Sequence, residues 1–198
     1  MIVNRWHRRN GDEERGVAMV ELAIVLPIFI LMIFGMVEFG LMFRERMTIA
    51  SATSSAARTG ATLGTEEEAD YRILQALEAG LYDQVDASVL ISVDIFRATP
   101  AGTKVLGDIN RYIYDASLVG CKWIPCPDPT SSPIPYGSPD GWWPVDRDTT
   151  LTGGIDVLGV EVVYQHDTVT NVIPFLNRQL TERALVRLEP DVLGGTGP

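Results

Sequence analysis

The stretch GVAMVELAIVLPIFILMIFGMVEFGLMF, residues 16–43, decides how the rest of the chain is read. From residue 22 to residue 43 only Pro27, two glycines and Glu38 interrupt a run of apolar side chains. As a helix this run extends roughly 33 Å, against a hydrocarbon core of about 30 Å. Arg5, Arg8, Arg9 and Arg15 precede it, and basic flanks stay in the cytoplasm. The chain is therefore predicted to cross the membrane once, with its N-terminus inside and the residues from 48 onward outside. A cleavable secretory signal, cut near Ala50 to Ala52, is the competing reading. Its apolar core would span only about 7–15 residues, and this run is longer.

Working outward, the helix is predicted to continue from about residue 17 to 63. RERMTIASATSSAARTGATLG has no proline, and Ala50, Thr53, Ala57, Gly60 and Gly64 recur at alternating spacings of three and four, which places them on one helical face. Small residues on such a face let another element approach the backbone closely. That element is either the chain's own domain or another subunit. Thr65 is the candidate N-cap of a second helix, with Glu66 to Glu68 in its first turn, Tyr71, Leu74, Leu77 and Leu81 on one side, and an end near Gly80. Val89, Ile91, Val93 and Ile95 alternate as the inward positions of a half-buried strand, TPAG makes a turn, and a short strand follows near Lys104 to Leu106. Strands are also predicted over residues 155–166 and through ERALVRLEP, with a short helix after Pro174. Seven of the twelve prolines lie between Pro125 and Pro144, so residues 117–154 read as a long irregular excursion. Its Trp123, Trp142 and Trp143 need cover, either from the domain or from a partner.

The composition narrows the function. With 198 residues, 46% of them hydrophobic, the chain can bury one modest core. A formal charge of −10 with scattered basic residues argues against nucleic acid. The two cysteines, Cys121 and Cys126, fall outside the cytoplasm on the predicted topology, where a short disulfide loop persists; zinc is the sharper alternative, but one thiol pair is a weak ligand set. Asp146 and Asp148 begin like a calcium loop, yet Leu151 stands where the turn glycine belongs and Val157 where the bidentate glutamate belongs. His166 beside Asp167 could form an acid–base pair, with a surface histidine at a strand end as the plainer reading. The sequence has no nucleophile elbow, zinc-protease pair or phosphate loop. Neither enzyme, cofactor nor metal is expected.

Glu21 is the anomaly, because an unpaired carboxylate at the mouth of a span is costly. If a peptidase cut after Gly16, Val17 would carry a new amine, and Glu21 would be the fifth residue of the shortened chain. Gly16, Val17 and Glu21, with Pro27 six residues after the glutamate, VEFG around Glu38 and ATSSAARTGA beyond, resemble the TadE-like family of the Tad (Flp) pilus machinery. VVYQHDTVTNVIPFL and RALVRLEP are similar to that family's C-terminal elements. The resemblance thus covers roughly residues 14–82 and 155–190, strongly only in the first region. It implies a class III signal cut by prepilin peptidase between Gly16 and Val17, and an assembly role for Glu21.

It further implies a minor pilin or pseudopilin of the inner membrane that meets other Tad pilins, the assembly platform and membrane lipid, and that enters the extracellular pilus. The rival is an uncleaved, membrane-anchored extracytoplasmic scaffold or binding protein. No role for Glu38 follows from the residues: it either snorkels to the interface or pairs with Arg44 or a neighbouring subunit. The expected organisation is α+β and pilin-like. A leader at 1–16 is cleaved, a long helix covers 17–64 with its first half in the membrane, and a small mixed domain with a mostly antiparallel sheet covers 65–190. Residues 191–198 form a disordered tail.

Overall fold

The structure is a computed structural model that describes residues 7–82, 84–127, 141–151, 153–169 and 177–190, with side chains from residue 16 onward. Helix α1, His7–Leu63, is 57 residues long, or roughly 86 Å at 1.5 Å per residue. It passes unbroken through Pro27 and starts well before residue 17. Over Gly16–Leu63 the most apolar 18-residue window has a mean hydropathy of 2.8 and none of it is buried. A helix apolar on all sides and uncovered by its own chain suits lipid rather than a protein core.

α1 stops at Gly64, whose φ of +53° is open to glycine and strained for other residues. Four residues of turn lead to α2, Ala69–Leu81. Its N-cap is Glu68, with no side-chain cap bond, and not Thr65. The buried stripe is also rotated from the predicted one: Ile73, Leu74, Leu77 and Leu81 are buried along with Ala69 and Asp70, while Tyr71 is only half-buried.

Among the described residues the sheet has five strands in the order β3-β2-β1-β4-β5. They are β1 Leu90–Ala98, β2 Lys104–Tyr114, β3 Trp123–Ile124, β4 Val157–His166 and β5 Arg178–Arg187, and every pairing is antiparallel. The fold is α+β: a long apolar N-terminal helix and a small domain with an antiparallel sheet. TPAG makes the β1–β2 turn, where Thr99 N–H donates to Thr103 O over 2.8 Å and Gly102 takes φ +80°. Several elements depart from the sequence-based reading. Val89 sits in a 3-10 turn, Ala87–Val89, and a register shift between Leu90 and Ser92 makes Leu90 the buried residue in place of Ile91, which is half-buried. β2 is much longer than predicted, and β3 forms inside the proline-rich excursion. The helix expected after Pro174 lies mostly outside the described residues, but from Arg178 the chain is strand and not helix. The predicted tail at 191–198 is also outside the described residues.

One face of the sheet meets both helices. Ile49, Ala52, Ala56 and Ala57 of α1 and Ile73, Leu74, Leu77 and Leu81 of α2 join Val93, Ile95, Tyr112, Leu158, Val160, Val162 and Tyr164 in one core. α1 crosses β4 and β5, while α2 reaches β2 through Asp70.

Candidate assembly and membrane-anchoring surfaces

The sequence-predicted residues fall into three groups. Gly16, Val17 and Glu21 lie on the uncovered part of α1. A Cβ built on Gly16 would meet nothing within 4 Å. Val17, Met19, Val20 and Leu22 are all at least 60% exposed. Glu21 is exposed too, and no hydrogen bond or ion pair of its carboxylate occurs among the described residues. Val17 and Glu21 are one turn apart, roughly 6 Å along the axis, so any group meeting both must come from outside this helix.

Glu38 belongs to a second group that marks where the domain reaches the span. It neither snorkels nor waits for Arg44: it is fully buried, and its Oε2 accepts the Val169 N–H over 3.2 Å. Arg44 donates instead to Gln84 Oε1 over 3.3 Å. One further heptad along α1, Glu45 contacts His166 Nδ1. His166 is thus buried against α1 and not exposed at a strand end, and its partner is Glu45, while Asp167 accepts from Gln165. The next residue, Arg46, pairs with Glu182 of β5 at 2.6 Å. Burial and the nearby Glu182 and Glu45 carboxylates push the Tyr164 hydroxyl up to about 12. The sequence held a signal for this group that the spacing argument missed. Glu38 and Glu45, seven residues apart, share a face with Ala52 and Ala56.

The predicted small-residue face forms the third group, and it packs on the chain's own domain. Thr53, Ala57, Gly60 and Gly64 are buried, but Ala50 is only half-buried, and Ala52, Ala56 and Ala61 are covered in addition. A Cβ on Gly60 would lie 2.5 Å from Leu158 Cδ2 and 2.6 Å from Ile73 Cδ1, and one on Gly80 would lie 2.8 Å from Ala52 Cβ. These contacts fix α2 antiparallel to α1 at close range.

The described parts of the excursion around Trp123, Trp142 and Arg147 fold back on the domain, while residues 117–120 stand exposed. Cys121 and Cys126 form a disulfide. Within that loop the buried Trp123 donates its indole N–H to Glu78 Oε1 over 2.6 Å and meets Tyr114 edge-on at 5.0 Å. Farther along, Arg147 is fully enclosed, paired with the buried Asp70 and stacked 4.8 Å over Trp142. Asp70 also accepts from Asn110 Nδ2 and from the Tyr112 hydroxyl, each at 2.7 Å. Asn110 in turn holds both the N–H and the carbonyl of Trp142 at 2.6 Å. Asp148, half of the failed calcium pattern, turns inward on its own loop and accepts the Thr150 N–H and hydroxyl. Those two bonds hold its carboxyl below the usual range.

The sheet face away from the helices carries an ionic belt. Asp94 accepts Lys104 Nζ at 2.6 Å and Arg111 Nε and Nη2 at 2.7 Å, and Glu161 bridges Lys104 and Arg183. Lys104 and Arg183 lie 5.1 and 5.4 Å over the ring of the buried Phe96. Gly159 leaves room for that ring, since a Cβ there would be 2.3 Å from Phe96 Cζ.

Residues 16–58 match the model of a family described as TadE-like protein. No curated protein and no solved structure matches the chain. The matched segment runs from the Gly16–Val17 junction to the middle of the buried small-residue face; the C-terminal elements at 155–190 lie beyond it. A TadE-like segment suggests involvement in Tad pilus assembly with other pilus proteins, and the one long apolar helix among the described residues suggests a membrane anchor.

Proposed function

We propose, on the premise of that TadE-like segment, that the chain is the precursor of a minor pilin or pseudopilin of a Tad-type pilus. Prepilin peptidase cuts it between Gly16 and Val17 on the cytoplasmic side, the domain from residue 65 onward stands outside the inner membrane, and the shortened protein enters or primes the filament. Its role is structural rather than catalytic. The observation that carries this reading is Glu21, an exposed carboxylate on an otherwise bare apolar helix, one turn from the junction that would become a cationic amine. In parallel helices displaced by one subunit, the amine of one chain meets Glu21 of its neighbour. A desolvated pair of this kind is worth a few kcal/mol, and an unpaired carboxylate penalises wrong register. The small-residue face supports this division of labour, because it is consumed inside the monomer and leaves the apolar half of α1 for partners.

Intact mass of the protein from cells with and without the peptidase tests the proposal. Loss of residues 1–16 is expected only where the peptidase is present. A chain that still begins at Met1 in both strains would overturn the pilin reading in favour of an uncleaved anchored scaffold. In the processing strain, Glu21→Gln should still be cleaved and folded but should be at least tenfold depleted from sheared filaments.

A further inference from the structure

The contacts between α1 and the domain form a descending series. Gly60 faces Leu158 and Ile73, Ala52 faces Gly80, Arg46 pairs with Glu182, Glu45 with His166, Arg44 with Gln84, and last Glu38 with the Val169 N–H. From Gly60 to Glu38 this series covers roughly 33 Å of helix. No bare stalk separates domain from span, because this last contact among the described residues lies inside the apolar run. Phe39, Leu41 and Phe43 are exposed and apolar beyond Glu38, and the first arginine is Arg44. Val169 is therefore held some five residues, roughly 7 Å, below the end of the run. That depth matches the 5–10 Å to which interfacial segments enter the boundary between headgroups and acyl chains.

The chemistry at this depth fits. A backbone N–H carried below the headgroups needs a partner from the protein, and the Glu38 carboxylate supplies one. The Val169 side chain is 75% exposed where water is scarce. Tyr82 is 77% exposed at the end of α2. It lies between the Gly80 contact to Ala52 and the Gln84 contact to Arg44, which is the height at which amphipathic rings gather at a membrane surface.

We infer that the domain is seated directly on the lipid surface, with Val169, three residues past the end of β4, dipping into the facing leaflet and Tyr82 at headgroup level. The partner is the bilayer itself, and the inference rests on residues 17–43 being a membrane span. A filament subunit of this kind would have to lift Val169 out of lipid when it leaves the membrane.

Collision accessibility of nitroxide labels tests it. The full chain, with its native disulfide intact, carries one label at a time through Val169→Cys, Leu106→Cys or Phe29→Cys, in phosphatidylcholine vesicles. Leu106 is 92% exposed at the start of β2, at the far end of the domain, and Phe29 is 58% exposed in mid-span. The expected result is a Val169 label several-fold less accessible to a water-soluble nickel chelate than the Leu106 label, and more accessible to oxygen. A Val169 label as open to the chelate as Leu106, beside an embedded Phe29 label, would overturn the seating while leaving the anchor intact. A Val169 label shielded from both reagents would also overturn it, since protein would then be the cover. A chelate-accessible Phe29 label would remove the anchor and the seating together.

Discussion

Between residues 17 and 43, α1 carries leucine, isoleucine, phenylalanine and methionine that the chain leaves uncovered; between Ile49 and Gly64 it carries alanine, threonine and glycine that the chain buries. The arrangement inverts the usual expectation that the largest apolar side chains mark the core. In the first half, size serves the surroundings, because lipid rewards apolar area whatever its shape. In the second half, smallness serves approach, since Gly60 and Gly80 allow the domain to press on a helix that offers little area of its own. One continuous helix thus answers to two solvents, and its halves should fail independently.

The largest expected effect that would break this comparison lies at Asp70. The carboxylate is 99% buried, pairs with Arg147 Nη2 and accepts from Asn110 and Tyr112 at once. Asp70→Ala leaves an enclosed guanidinium unpaired, a change that costs about 3–5 kcal/mol. Near-ultraviolet circular dichroism of the tryptophans should show the domain unfolding much earlier, while the protein stays in the membrane fraction. An unchanged midpoint would mean that Arg147 finds another partner. Loss from the membrane would mean that the halves of α1 are not separable.

How far the sequence disclosed this molecule follows the same division. The apolar span, the turn at TPAG and the strands through Val160 and Ala184 were legible because their signals are local: composition, period and turn chemistry. Asp70 stands two residues after a run of three glutamates with nothing local to single it out, and its meaning comes from Arg147, 77 residues away. Glu38 and Glu45 were hidden differently. Their helical face was written in the spacing, but their partners Val169 and His166 come from the end of β4 and the residues just past it. The bulge that turns Leu90 inward breaks the alternation that strand reading depends on. Buried polar networks join distant segments, and a single sequence carries no period for them.

A pair of glycines sharpens the comparison with a smaller effect. Gly60→Val forces atoms into a space already filled by the fully buried Ile73 and Leu158. Overpacking of this kind costs about 1–3 kcal/mol. Gly40→Val, on the same helix, meets nothing within 4 Å and should leave the domain's denaturation midpoint where it was. Equal destabilisation by both would mean that the membrane half also packs closely within the monomer.

The smallest effect concerns the ionic belt, and it should appear only in the domain. Burial alone would raise the Asp94 carboxyl, but hydrogen bonds from Arg111 and Lys104, with their charges, outweigh it and leave Asp94 below the ordinary range. Glu161 is lowered in the same way, with Lys104 and Arg183 overcoming its desolvation. A carboxyl depressed in the folded state contributes stability above its unfolded value, near pH 4. That contribution fades as pH falls through the folded value. The domain should therefore lose stability progressively below about pH 4. Because Arg111 and Arg183 remain largely exposed to solvent, the belt should add on the order of 1 kcal/mol or less, and added salt should shrink it. Glu161→Gln removes one of the two titrations, so the variant's midpoint should fall less steeply with acid than the parent's, measured by thermal unfolding between pH 7 and pH 3. Parallel slopes for the two proteins would show that the belt does not govern the acid response.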